Sequence, residues 1–402
     1  MSSFATAAGE PAMPTLAADS GELADAARAW KSAYVHIPFC LRRCPYCDFA
    51  IVDESVDGRS LVDRYVAAIH LEIGMEGGIG RLDAINFGGG TPSRLSPMQL
   101  GSIVDRLRST YGLADDVEIS LEANPEDWTD DTAAQLVSVG FTRVSLGAQS
   151  FDGEVLAVLG RNHIDTDIAR CVSSARGAGF ASVSLDLIFG HGAESERSWD
   201  QTVAKALALE PDHMSTYALT VEAGTDLARA IEGGAVPPDE DLQADRYERF
   251  TDAAEAGGLR RYEVSNHARA GHACRYNLST WSNGEYLGFG LGAHDHRRGQ
   301  RSRNKARIEG YLASIDADER PRAGIENLDA HDEARDTLML GLRLACGTPM
   351  SELAECFLGS PKGLMFLDAG VIAVVSGRVV VLKPMLTDAV VREALSVSAG
   401  DC

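Results

Sequence analysis

No stretch of this 402-residue chain approaches the ~18 consecutive apolar residues that a membrane-spanning helix needs, so no transmembrane segment is expected. Peripheral membrane contact stays open. The first thirty residues contain no Lys or Arg before Arg28 and so lack the cationic start of a secretory signal. Residues 1–30 read as a disordered N-terminal extension, and the protein as cytoplasmic. A basic stripe is missing too. With 37 Lys and Arg against 59 Asp and Glu the net charge is −22, which speaks against a surface for nucleic acid. No internal repeat and no low-complexity tract beyond the Ala-rich start is visible. A reducing cytosol leaves a disulfide framework without support, so the eight cysteines divide into one cluster and five scattered, inert or buried thiols.

From Ser32 onward, short β-branched runs alternate with amphipathic stretches of helical length. The runs are "AYVHI", "LDAINF", "VEISLEAN", "TRVSLGAQS", "SVSLDLIFG" and "HMSTYALT". Such alternation predicts βαβ units on a parallel sheet, with right-handed crossovers curling it into an open barrel or a doubly wound sheet. In either case chemistry belongs at the carboxyl ends of the strands. Gly88, Gly89, Gly90, Thr91, Glu122, Asn124, Gln149, Ser150 and Asp186 fall at or near such ends. Beyond residue 300 a charged linker leads to a helix-rich segment, and "LDAGVIAVVSGRVVVLKP" predicts two strands joined by a Ser-Gly turn. This is a small C-terminal α+β, winged-helix-like domain. The expected boundaries are 31–300 for the barrel, with an insert after its sixth strand, and 301–402 for linker and small domain.

The cluster is "YVHIPFCLRRCPYCDF", Tyr34 to Phe49, in which Cys40, Cys44 and Cys47 have C-x3-C-x2-C spacing and no fourth cysteine beside them. Structural zinc sites close with four ligands and usually use a second knuckle, absent here, although His36 could complete a set. A redox C-x-x-C would leave Cys40 unexplained. A [4Fe-4S] cluster takes one thiolate per iron, so three thiolates leave one iron open.

This loop, followed by the glycine-rich "INFGGGTPS", resembles the radical S-adenosylmethionine (SAM) superfamily. There the amino and carboxylate groups of SAM chelate the open iron and reductive cleavage gives a 5'-deoxyadenosyl radical. The resemblance runs over most of the chain and narrows to the oxygen-independent coproporphyrinogen oxidase-like family through "EISLEANPE", "RVSLGAQSF", "SLDLIFG", "RYEVSNHARAGHACRYN" and "YLGFGLGAH". It implies a partial (β/α)6 TIM-type barrel. It also implies SAM contacts from Tyr34, Tyr46, Gly89, Gly90, Thr91, Glu122, Gln149, Arg161 and Asp186, with Cys40, Cys44 and Cys47 holding the [4Fe-4S] cluster.

Two subgroups share that scaffold. Oxidases that decarboxylate coproporphyrinogen III continue the loop to C-x3-C-x2-C-x-C, whereas HemW-type haem chaperones carry phenylalanine at the last position, as Phe49 does here. The resemblance therefore implies haem as cargo, a haem-accepting protein as partner, and an electron donor such as flavodoxin or ferredoxin. Two departures stand out. The subgroup's H-N-x-x-Y-W haem motif reads "YNLSTW", so Tyr276 stands where the histidine would be, Asn277 and Trp281 remain, and Thr280 replaces the tyrosine. Tyr276 could ligate iron in its stead, or His272, His294 or His296 could supply an imidazole. The other is "FGHGAESERSW", where the family has a Gly-Leu-Pro-Gly turn.

Overall fold

The computed structural model describes residues 19–397. Its centre is a run of seven parallel strands: β1 (Lys31–Ile37), β2 (Leu82–Gly89), β3 (Leu113–Ala123), β4 (Arg143–Gln149), β5 (Ser182–Phe189), β6 (His213–Ala218) and β7 (Glu285–Phe289). β1 to β6 lie side by side in chain order, as anticipated, while β7 pairs in parallel with the free side of β1. The sheet continues antiparallel at both ends. Beyond β7 come β8 (His294–Arg297), β9 (Gln300–Asn304) and β10 (Arg322–Asn327); beyond β6 come Asn266–Ala268 and Arg260–Arg261. The edges do not meet among the described residues, so this is an open, partial barrel.

Alternation explains its two faces. In β1 the side chains of Ala33, Val35 and Ile37 are fully buried, whereas Ser32, Tyr34 and His36 alternate with them on the opposite, inward face. Period-two geometry carries the same inward row across the sheet: Tyr34 is in register with Asn86, Asn86 with Ser120, Glu122 with Ser145, and Asp186 with Ser215. The outward residues join helices such as Pro97–Tyr111 and Asp165–Ala178 in one large hydrophobic core.

The chain ends differ from the sequence-based boundaries. Residues 1–18 lie outside the described residues, but Asp19–Ala27 forms a helix in which Ala24 and Ala27 are buried against Leu278 and Leu344, not a disordered segment. The expected linker is also structured. β9, the helix Ile308–Asp316 and β10 complete the main sheet and core, so the small domain begins only near Ala330. That domain has its own core, and its hairpin turns at Ser376 and Gly377, both with positive φ, as the Ser-Gly turn anticipates.

A buried ionic knot fastens the extra strands to the helix Glu54–Met75 and the segment after it. Arg322 bonds Glu76 at 2.6 Å, Asp295 at 2.6 Å and Asn304 at 3.0 Å, while Arg297 also pairs with Glu76. Removing one member of a buried charge network leaves its partners desolvated and unpaired. Arg322→Leu is therefore expected to lower stability by about 3 kcal/mol in urea denaturation, against about 0.5 kcal/mol or less for the exposed Arg81→Leu.

Candidate functional site

The cysteine loop leaves β1 at Ile37 and returns at Val52, whose N–H bonds the Pro38 carbonyl at 2.8 Å. Cys40, Cys44 and Cys47 are free and half-buried, whereas Cys171, Cys274 and Cys346 are free and buried. Gly90 makes room for the loop, since a Cβ there would lie 2.6 Å from the Pro38 carbonyl oxygen and 3.0 Å from Cys40 Sγ. Gly89 has φ +112°, open to glycine and strained for other residues, and a Cβ on it would strike the His36 ring at 2.5 Å.

A chain of side chains from three strand ends closes the site. Cys40 Sγ lies 3.5 Å from Thr91 Oγ1, which accepts from Asn124 Nδ2 at 3.1 Å. Asn124 Oδ1 in turn accepts from Arg161 Nη1 at 2.6 Å, and Arg161 Nη2 donates to the Tyr46 hydroxyl at 3.3 Å. Asn124 is thus a positioning residue that the matched motif residues alone leave out. Its place at the end of β3 was the available signal.

Glu122 and Asp186 face each other inside the barrel. Glu122 accepts from the Gly89 N–H at 3.3 Å and Asp186 from Ser145 Oγ at 2.7 Å. Burial first, and then the neighbouring Asp186, push the Glu122 carboxyl up to about 7, and burial also raises Asp186. Gln149 is buried with φ 59°, at a register shift where β4 meets β5. Tyr34 reaches His36 Nδ1 with its hydroxyl at 3.1 Å, and His36 Nε2 holds the Ala50 carbonyl at 2.8 Å. All nine residues matched to SAM contacts thus lie along the carboxyl ends and the inward face of β1 to β5 or on the loops that follow.

The two haem-motif positions are separated. Both sit on the helix Arg275–Trp281, but the Tyr276 ring stacks on Tyr34, centroids 5.9 Å apart, and meets Tyr286 edge-on at 6.2 Å. Trp281 faces away, joining the Ala24 and Leu344 cluster beneath the Arg343 guanidinium at 4.7 Å. Burial pushes the Tyr276 phenol well above its ordinary value, so a free phenolate is not at hand.

The residues fit a [4Fe-4S] cluster and SAM. Three unpaired thiols line a loop that a glycine makes room for, and a buried carboxylate pair suits cationic and hydroxyl groups. Arg161 Nε is buried with no hydrogen-bond partner among the described residues. Burial drives the Cys40 thiol up to about 11, so this sulfur stays protonated until metal is offered. Among the described residues no three His, Cys, Asp or Glu form a group that could hold a single metal ion.

A trithiol loop followed by a glycine-rich strand end and an inward carboxylate pair, on an open parallel barrel, defines a radical SAM scaffold. Residues 34–206 match the radical SAM superfamily. The chain is 38% identical over 372 residues to the haem chaperone HemW of Mycobacterium tuberculosis, covering 90% of this chain and 94% of the relative. It is 34% identical to the haem chaperone HemW of Bacillus subtilis, over 83% and 89% of the two chains. It belongs to the HemW family. Among solved structures, the coproporphyrinogen III oxidase HemN of Escherichia coli superposes with a TM-score of 0.78 at 21% identity, over 94% of this chain and 93% of that one. At that identity the likeness speaks for the shared fold. No helix among the described residues is long and apolar enough to cross a membrane.

Two outcomes follow for the site. Glu122 titrates near 4.5 when exposed and near 7 here, so the folded chain holds its proton longer and loses stability as pH rises through that window. Glu122→Gln should remove a penalty of about 3 kcal/mol above pH 7, read by denaturation of cluster-free protein at pH 5 and 8, while weakening SAM binding. Gly90→Ala should displace Cys40 and reduce the iron retained after anaerobic reconstitution to less than half, with the fold preserved by circular dichroism.

Proposed function

We propose that this protein is a cytoplasmic haem chaperone. Cys40, Cys44 and Cys47 carry a [4Fe-4S] cluster, and SAM lies along Gly89, Gly90, Thr91, Glu122, Gln149, Arg161 and Asp186, with Tyr34 and Tyr46 at its margins. Haem is cargo, passed to a haem-accepting protein; a flavodoxin or ferredoxin is the electron donor. When bound, cluster and SAM supply reductive cleavage chemistry.

The protein's own share is positional. The buried carboxylates receive cationic and hydroxyl groups without rearrangement, Arg161 offers a guanidinium to a carboxylate, and the glycine edge lets backbone groups approach closely. The observation that carries the reading is Phe49. It lies two residues after Cys47, exposed over 58% of its surface, where the oxidases have a further cysteine, and its carbonyl accepts from Arg43 at 3.2 Å. The HemW names of relatives spanning most of the chain support the same choice. The likeness to HemN does not discriminate, because both activities use one scaffold.

Anaerobic reconstitution with iron and sulfide, followed by EPR with and without SAM, should give a cluster signal that SAM perturbs. The same preparation should bind haem, pass it to an apo-haem protein and leave coproporphyrinogen III unchanged. Efficient conversion to protoporphyrinogen would overturn the chaperone reading in favour of the oxidase.

A further inference from the structure

The inward face of the sheet does not stop at β1. Strand register runs Tyr34 to Gly288 on β7, then across β8 and β9, where His294 pairs with Arg303, and on to Gly324 of β10. Gly288 has no side chain to hold β8 away, and a Cβ on it would collide with the His294 carbonyl, so β8 crosses over Gly288 beside Tyr34. Asp295, Ser302 and Arg322 belong to the opposite face, where the ionic knot lies. Tyr34, His294 and Arg303 therefore line one wall, with His294 folded over Gly288, the register neighbour of Tyr34.

The two polar residues on this wall are idle. His294 is exposed and neither ring nitrogen has a hydrogen-bond partner among the described residues, whereas His36, His163, His213 and His296 are engaged. Arg303 is exposed and lacks a carboxylate among the described residues, although its neighbours Arg297, Arg301, Arg320 and Arg322 all find one. Burial and then Arg303 lower the His294 pKa, which keeps the imidazole neutral and its lone pair available. The stacked Tyr34 and Tyr276 rings stand at the inner end of the wall.

We propose that this wall is the haem site of the chain, with the His294 imidazole on the iron, the Arg303 guanidinium on a propionate, and the stacked tyrosines against the porphyrin. The proposal rests on the haem-chaperone reading above. It makes Tyr276 part of the wall and gives the imidazole missing from the helix Arg275–Trp281 a replacement two strands away.

The test titrates full-length reconstituted protein with haem and, in parallel, with metal-free protoporphyrin. The unaltered chain should show a nitrogen-ligated haem in absorption and EPR. His294→Ala should lose that signature and bind haem roughly tenfold more weakly, with free imidazole restoring both, while protoporphyrin affinity barely changes. Arg303→Ala should weaken both ligands by a similar factor and leave the iron spectrum intact, and His331→Ala, on the exposed start of the small domain, should change nothing. His294→Gln serves should the alanine variant misfold. Haem affinity and spectrum unchanged in the His294 and Arg303 variants would overturn this site and leave the chaperone reading standing. An unaltered chain that binds no haem would overturn both.

Discussion

The cysteine loop depends on one guanidinium. Between Ile37 and Val52 the backbone makes few hydrogen bonds of its own, so its shape is held by side chains. Arg161 ties Tyr46 inside the loop to Asn124 at the end of β3, and Asn124 passes the constraint through Thr91 to Cys40. Burial works against the charge of Arg161, but Tyr46 and Cys44 outweigh it and hold the group protonated. That cation opposes the effect of burial on the Cys40 thiol, because a fixed positive charge in a poorly solvated site favours a thiolate more than it would in water. Arg161 thus couples the loop to the strand ends, while Arg43 and His36 hold its carbonyls at Cys47, Phe49 and Ala50.

The carboxylates across the barrel are the complementary half. Glu122 and Asp186 are withdrawn from water and lie close together, which is costly while both are charged and gives one of them reason to keep a proton. A bound ammonium or sulfonium removes that reason. The site therefore holds a stored preference for cations, and binding one there releases a proton near neutral pH. The serines at 145, 184 and 215 solvate Asp186 without neutralising it, so the preference survives in the folded chain.

Most of this scaffold is legible in the order of residues along the chain. Six β-branched runs announce six parallel strands, and the cysteine spacing with a glycine-rich strand end announces the loop and its neighbour. What stays hidden is the antiparallel extension of the main sheet beyond β7. The segment from Arg301 onward reads as charged linker because its alternation, like that of the strand before it, serves two faces at once: Asp295 and Ser302 turn to the ionic knot, and His294 and Arg303 to the other face. The helix Asp19–Ala27 is hidden for a different reason. Its apolar residues are mostly alanines, too small to mark a stripe, and only the neighbours Leu278 and Leu344 make their burial worthwhile.

The same hidden register bears on the substitution at position 276. A histidine on the helix Arg275–Trp281 and an imidazole on β8 approach one wall from two directions, because the helix packs against β1, β2 and β7 while β8 crosses Gly288 next to Tyr34. A chain needs only one of them free to ligate. Tyr276 stacks on Tyr34 and fills its place as a ring, and its hydroxyl stays neutral through burial, so the helix here contributes packing without ligation. Coordinating capacity then rests with the strand. There the ionic knot of Arg322, Glu76 and Asp295 on the opposite face fixes β8 and β9 rigidly enough for a ligand to find His294 and Arg303 already paired.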